Sequence, residues 1–447
     1  MIMLKDIIEK EFYDGLKNGA RQILNEDYVR VLAHYDGDGT SSAIILTNAL
    51  KRKGIKFNLG YIKALDGDSF RKRIEEDDIT TIVVDAGSDQ VQYVPEYEKI
   101  IVLDHHFFNH TTIKGLNINA RDYHVDGTRE ACGATMAFLM ALAIDEANAD
   151  LFPFFVAGAI ADKQDIGGFH GLNRKLVETY GNKSHVFRGI NLEGGNLIDS
   201  ITYSTDPFFD DLTGKPENVE KFLSGINIPG NRTLQELGED QMRRLAVNLS
   251  LKLLEQGVGT EALKYLESDI MSFDGMEFSS KELSNIIDGN GKVGWNSIPV
   301  QFFLGDQTVR DEMIKNWKVF KTKLIDYVYR TNKELFEESH LRYFYAPESE
   351  MAGAISGTLM LYLARQNKPL IGFNVGNGDT KVSSRGTRRM VKHGLNLSLV
   401  MKEAGKEVGG SGGGHDIAAG AVIPRGKEKQ FLEIANNIVA GQIKILN

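Results

Sequence analysis

Short apolar runs that each end on an acid or a histidine constrain this chain more than any other feature. Val29–Ala33, Thr81–Val84 and Ile100–Leu103 are near-continuous β-branched and aliphatic stretches. They lead into His34 and Asp36, into Asp85, and into Asp104, His105 and His106. Runs that are apolar or β-branched at nearly every position suit strands of a parallel sheet buried on both faces. Lys56–Ile62 reads as a further strand, and helical patterns cover Ser41–Lys53, Ala131–Ile144 and Leu151–Asp162. The alternation predicts a doubly wound α/β domain, with a mainly parallel sheet, over residues 1–181.

That rhythm is lost between residues 182 and 338, which are polar and helix-prone and predict a helix-rich insertion or connector. Between Asp206 and Asp240, eight acids stand against three bases. Such a bias is ordinarily a solvated surface; the alternative is a face that docks a partner protein. Residues 339–447 resume mixed α/β structure. Leu341–Tyr345, Leu370–Phe373 and Thr380–Ser383 read as strands, and Gly353–Gln366 and Ser398–Ala404 as helices. They predict a smaller C-terminal domain.

The acids and histidines gain meaning from their placement. In an open α/β sheet, ligands bind beyond the carboxyl ends of the strands. Alternate residues of an extended segment share a face, so His34, Asp36 and Asp38 can converge, and Gly37 and Gly39 let the backbone turn between them. Asp162, near the end of the helix from Leu151, adds another acid. Taken singly, each is most simply a turn, cap or structural residue; their recurrence at one sheet edge argues for a shared site. Carboxylates outnumber imidazoles and no thiolate is available, which suits Mn²⁺ or Mg²⁺ better than a structural zinc. The acids exceed the needs of one ion. Two ions, clamping the attacking and leaving oxygens of a phosphoryl displacement, are the expectation.

Composition adds limits. A chain of 447 residues should hold two or three domains. Its net charge of −9 counts against a general polyanion-binding protein but permits a local basic groove. The one cysteine, Cys132, reads as a small buried hydrophobe and fits a reducing cytoplasm. The opening MIMLKDIIEK is too charged for an apolar signal core, and the longest apolar run, Leu151–Ala161, is shorter than the roughly 18 residues that span a bilayer. A cytoplasmic protein without membrane association is therefore expected.

Two C-terminal segments point to phosphate. Lys381–Lys392 holds five bases and no acid; it is either a solvated face or a track on which arginine forks meet phosphates. Gly409–Gly414, followed by His415, Ala418, Ala419 and Gly420, reads as a loop whose N–H groups form an anion nest, with a flexible linker as the alternative. Phe107, Phe108 and Phe169 could stack on bases or simply pack.

The segments HYDGDG, VVDAG, LDHH and AIADKQD resemble, in order, the four motifs of the DHH phosphoesterase superfamily, and GGGHDIAAG resembles its associated C-terminal domain. Over nearly its whole length, including Asn191–Phe209, the chain is similar to the archaeal RecJ-like single-strand-specific exonucleases. The resemblance implies a catalytic set of Asp36, Asp38, Asp85, Asp104, His105, His106 and Asp162. Asp36 and Asp162 would hold one metal, with His34 as an additional ligand; Asp38 and His105 would hold the second, and Asp85 would bridge both. Asp104 would orient a histidine and His106 would contact the substrate phosphate. Arg385, Arg388, Gly413, Gly414 and His415 would grip nucleic acid.

The same resemblance implies Mn²⁺-dependent release of 5′-mononucleotides from single-stranded DNA or RNA in replication or repair and, in some members, association with the replisome assembly GINS. A phosphodiesterase of short oligoribonucleotides or cyclic dinucleotides shares both end domains, but such relatives lack a middle section as long as residues 182–338. An inorganic pyrophosphatase spaces its first motif differently from His34-x-Asp36-x-Asp38. A replisome scaffold that has lost its metal ligands is disfavoured because every expected ligand is present; a replisome scaffold with residual nuclease activity is a further alternative.

Overall fold

In the computed structural model, which describes residues 3–62, 67–75, 77–348 and 351–443, the apolar runs pair as strands. These are β1 (Tyr28–His34), β2 (Lys56–Ile62), β3 (Thr81–Val84), β4 (Ile100–Asp104) and β5 (Leu116–Asn119). They form one parallel sheet in the order β2-β1-β3-β4-β5. The edge strand β5 carries Asn117 and Asn119, too polar to read as a strand from the sequence. Compactness divides the chain into two units, Met1–Phe187 with Asp269–Phe320, and Arg188–Ser268 with Lys321–Asn447. Residues 182–338 are thus shared between both.

In the first unit, register and pleat explain the burial. Leu32, Val83 and Val102 are cross-strand partners. They join Ile62, Ile100 and the helical residues Phe70 and Ile74 in one buried cluster. Helices α1 (Lys10–Leu24), α2 (Gly37–Arg52), α3 (Gly67–Glu75), α4 (Gly133–Ile144) and α5 (Phe152–Ala161) accompany the sheet. All of α4 is buried; a helix apolar on every side must lie inside. Helix α2 begins earlier than the apolar pattern alone predicts, because the Asp36 side chain caps it by accepting from Gly39 N at 3.1 Å. Helix α6 (Ser280–Lys292) packs on α5 and α2. The order 2-1-3 reverses chain direction across the sheet between β1 and β3, and that switch point is where doubly wound sheets take ligands.

The chain passes between the units in strands β6 (Ser184–Ile190) and β7 (Glu267–Phe273), which pair with each other, and again within the helix Arg310–Lys333. The second unit holds a mixed sheet of β8 (Phe336–Glu337), β9 (Arg342–Tyr345), β10 (Leu370–Val375), β11 (Asp379–Arg385), β12 (Ser411–Gly414) and β13 (Ala418–Pro424), in the order β12-β13-β11-β10-β9-β8. Only β9 and β10 are parallel. Part of the acid excess is used internally: Asp206 accepts from the Tyr362 hydroxyl, and Asp211 pairs with Lys252 at 2.7 Å.

The glycine tract differs from expectation. Ser411–Gly414 is an edge strand rather than a loop, paired to β13 with Gly413 opposite Gly420 and Gly414 opposite Ala419. Missing side chains let it lie against helix α7 (Leu397–Glu407): a Cβ on Gly412 would stand 2.3 Å from the Met401 carbonyl oxygen. Among the described residues, no helix is long and apolar enough to cross a membrane.

Phe70 is fully buried on the α3 face of the sheet. Replacing it with alanine should destabilise the first unit by about 3–5 kcal/mol, measured as a shift of that unit's denaturant midpoint.

Candidate metal centre

The carboxyl ends of β1, β3 and β4 deliver the predicted residues to one place, and a few anchors fix each. Asp38 is buried and accepts from the backbone N–H groups of Gly133 at 2.6 Å and Ala134 at 2.8 Å, at the start of α4. Asp85 directly follows β3 with a left-handed φ of 62°, rare for a residue with a Cβ. Its N–H is held by the Leu103 carbonyl at 2.9 Å. The turn aims Asp85 Oδ1 at His105 Nε2, 3.2 Å away, and Oδ2 at His34 Nδ1, 3.6 Å away. Asp162 follows α5, and Gln164 Nε2 donates to its Oδ2 at 2.7 Å.

The histidines reveal what the cluster lacks internally. His105 Nδ1 lies 2.6 Å from the Gly127 carbonyl, which can only accept, so Nδ1 carries the hydrogen. Its Nε2 faces Asp85 and, at 3.9 Å, Asp38. His34 Nδ1 is buried without a hydrogen bond, 3.0 Å from Asp36 Oδ2. Each imidazole therefore presents a ring nitrogen to carboxylate oxygens that cannot donate. A proton or a cation is needed in each position.

Ionisation carries the same message. Burial raises the Asp38 carboxyl well above the usual range, and the charges of Asp85 and Asp162 push it further. Asp162 is raised to about 6, first by burial and then by Asp85. Burial also acts upward on Asp85, but the imidazoles of His105 and His34 outweigh it and hold this acid low. Burial disfavours the charged form of His34, yet Asp36 and Asp85 raise it to about 11. Acids that cannot all ionise unaided, around imidazoles forced to take protons, form a donor set suited to divalent cations.

Three overlapping triads of ligand atoms are each close enough to hold an ion: His34, Asp36 and Asp85; Asp38, His105 and Asp162; and Asp85, His105 and His106. Asp162 thus stands with Asp38 and His105, whereas the resemblance groups it with Asp36. Asp104 is buried and orients His106, accepting from its Nδ1 at 2.8 Å and from its N–H at 3.2 Å. Burial acts upward on Asp104, and His106 overrides it to bring the acid to about 2. His106 remains largely exposed, with its side chain 57% accessible. With His34, Asp85 and Asp104 it lines a cavity of about 280 Å³. Phe107, 78% exposed, stands on the same wall, while Phe108 is buried.

Several neighbours escape a sequence reading because they carry no reactive group. A Cβ on Gly133 would lie 2.4 Å from Asp85 Cβ, and one on Gly158 2.6 Å from Asp38 Oδ1. Gln164 connects Asp162 to the carbonyls of Ala131 at 2.8 Å and Gly127 at 3.2 Å. Its place two residues after Asp162 was the available clue.

In the second unit, Arg385 ends β11 with its guanidinium half-buried. Nη1 donates to the Ser384 carbonyl at 3.0 Å, and burial lowers its pKa. Among the described residues no carboxylate pairs with it. Arg388 opens a short helix capped by Thr387. His415 is exposed in the turn joining β12 to β13, its N–H donating to the Ala418 carbonyl at 2.8 Å. Gly414, with a φ of 135°, has no room for a side chain: a Cβ would meet Ala419 Cα at 2.7 Å.

Family models match both units. Residues 28–161 match the DHH family N-terminal domain and residues 340–441 the DHHA1 domain. The chain belongs to the DHH/DHHA1 phosphoesterase superfamily. An uncharacterized protein of Methanocaldococcus jannaschii is 28% identical, over 97% of this chain and 99% of the relative. The Mn²⁺ complex of RecJ from Thermus thermophilus has a similar fold, with a TM-score of 0.59 at 16% identity; the match covers 97% of this chain but only 56% of that RecJ. CDC45 from Entamoeba histolytica matches with a TM-score of 0.57 at 12% identity, over 96% of this chain and 98% of CDC45. A manganese-bound exonuclease RecJ scores 0.56 at 15% identity, over 95% and 94%. At these identities the structural likeness establishes the fold. The DHH/DHHA1 family, together with the Asp/His cluster, makes the protein a metal-dependent phosphoesterase.

Gly133→Ala should displace Asp85 and lower Mn²⁺ affinity by about 10-fold or more, read by calorimetric titration, with the circular dichroism spectrum unchanged. In metal-free protein, the stability tied to the raised Asp162 pKa is full below about pH 4 and is lost as pH rises through about 6. Saturating Mn²⁺ should therefore raise the melting temperature more at pH 7 than at pH 5, a difference that thermal-shift measurements check.

Proposed function

We propose that this protein hydrolyses phosphodiester bonds in single-stranded DNA or RNA, exonucleolytically and with release of 5′-mononucleotides, in DNA replication or repair. The observation that carries this reading is the set of overlapping ligand triads around Asp85, whose two oxygens face different imidazoles. Divalent cations held there, Mn²⁺ in first place and Mg²⁺ as the alternative, supply an activated water and charge neutralisation at phosphorus. The bound Mn²⁺ of the two similar RecJ structures supports manganese.

The side chains take complementary parts. His34, Asp36, Asp38, His105 and Asp162 would hold the ions, with Asp85 shared between them. Burial lowers the His106 pKa but Asp104 raises it to a net increase, and its ring on the cavity wall can donate to a substrate phosphate. Phe107 beside it offers an exposed face on which a base can stack. Arg385, half-buried with no paired carboxylate among the described residues, gains a counter-charge when it meets phosphate; Arg388, His415 and the Gly413–Gly414 edge complete this grip.

The experiment is digestion of end-labelled DNA and RNA strands, each blocked at one terminus, in Mn²⁺ buffer. Stepwise loss of mononucleotides from one end is expected, whereas turnover confined to dinucleotides would overturn the substrate assignment. Asp85→Asn, which keeps shape but removes the shared charge, should lower kcat by about 10³-fold or more.

A further inference from the structure

Half of the metal centre is anchored much less firmly than the other half by its own neighbours. Asp38 is tied to two N–H groups of α4, and the His105 ring is tied to Gly127. Asp36 has one such anchor, Gly39 N, and His34 Nδ1 has none. Both residues flank the peptide at Tyr35, so their positions follow the backbone from Tyr35 to Gly37. That backbone is held from the far side by residues remote in sequence. Asp288 Oδ1, on α6, accepts from Gly37 N at 3.0 Å. Asn296 Nδ2 donates to the Tyr35 carbonyl at 2.5 Å and to Thr40 Oγ1 at 2.9 Å.

The fit is close on both sides. A Cβ on Gly37 would stand 2.9 Å from Asp288 Cβ and 2.7 Å from Ala161 Cβ, and a Cβ on Gly291 would stand 2.5 Å from the Tyr35 carbonyl. Asn296 is buried, so its amide donors are committed to these partners. No water competes for such contacts as it would at a surface.

We infer that Asp288 and Asn296 are positioning residues for one of the two cations, the one held by His34, Asp36 and Asp85. They act by fixing the Tyr35–Gly37 backbone. Part of the middle segment thereby serves the metal centre itself. The inference rests on the two-cation reading above. Partners of this kind characteristically change metal affinity by about 10–100-fold.

The test is calorimetric titration of Mn²⁺ into the full chain without substrate. Asp288→Ala and Asn296→Ala should each weaken one of the two binding events by about 10–100-fold and leave the other within about threefold. Asp288→Asn keeps an acceptor for Gly37 N and should stay close to wild type. Ile287→Val, a buried change on the same helix, should lower the melting temperature while leaving both affinities in place. Equal weakening of both events, no weakening of either, or an Asp288→Asn as damaging as Asp288→Ala would overturn the inference. Since no substrate is present, the predicted split supports it even if no polynucleotide is cleaved, a result that sinks only the substrate assignment.

Discussion

Mutual repulsion among buried carboxylates is the constraint on which the first unit depends. Asp38 and Asp85 lie almost completely out of water, and Asp162 is raised to about 6 beside them. Isolated buried charge is costly enough that proteins neutralise or pair it. Here the pairing is incomplete: two imidazoles serve four carboxylates, and each points a ring nitrogen at oxygens that only accept. The fold thus retains a local arrangement that is unfavourable without cations, and much of the surrounding structure serves to hold it.

That holding is done largely by backbone and by absent side chains. Helix α4 turns its first N–H groups on Asp38, where the positive end of the helix dipole favours a carboxylate. Asp85 keeps a left-handed conformation directly after β3, a strained choice for a residue with a Cβ. Gly133 and Gly158 leave the space that the two acids fill. The apolar core makes this possible: α4 and α5 are buried almost throughout, and a tightly packed interior resists the relaxation that repulsion would otherwise drive.

Strands β1, β3 and β4 were legible because a parallel strand buried on both faces is written as a nearly continuous apolar run, and their terminal acids and histidines were legible by type and order. The Gly-rich tract reads as a loop but folds as an edge strand. Glycine is scarce in most strands for entropic reasons, but at Gly412 β12 packs so closely on α7 that a Cβ would collide, and that closeness is a property of the partner helix. The polar edge strand β5 escaped for a related reason, since an edge needs fewer apolar positions.

What the sequence determined alone was therefore the chemistry: which ligand types are present, and that three of the segments carrying them end strands of a parallel sheet. The tertiary structure decided the pairing of those ligands and their support. Asp162 joins Asp38 and His105 because of where α5 ends against α4, and Asp288 reaches Gly37 from a segment 251 residues away. Residue type and periodicity follow from local chain chemistry, whereas a distance between remote residues follows only from how the helices pack.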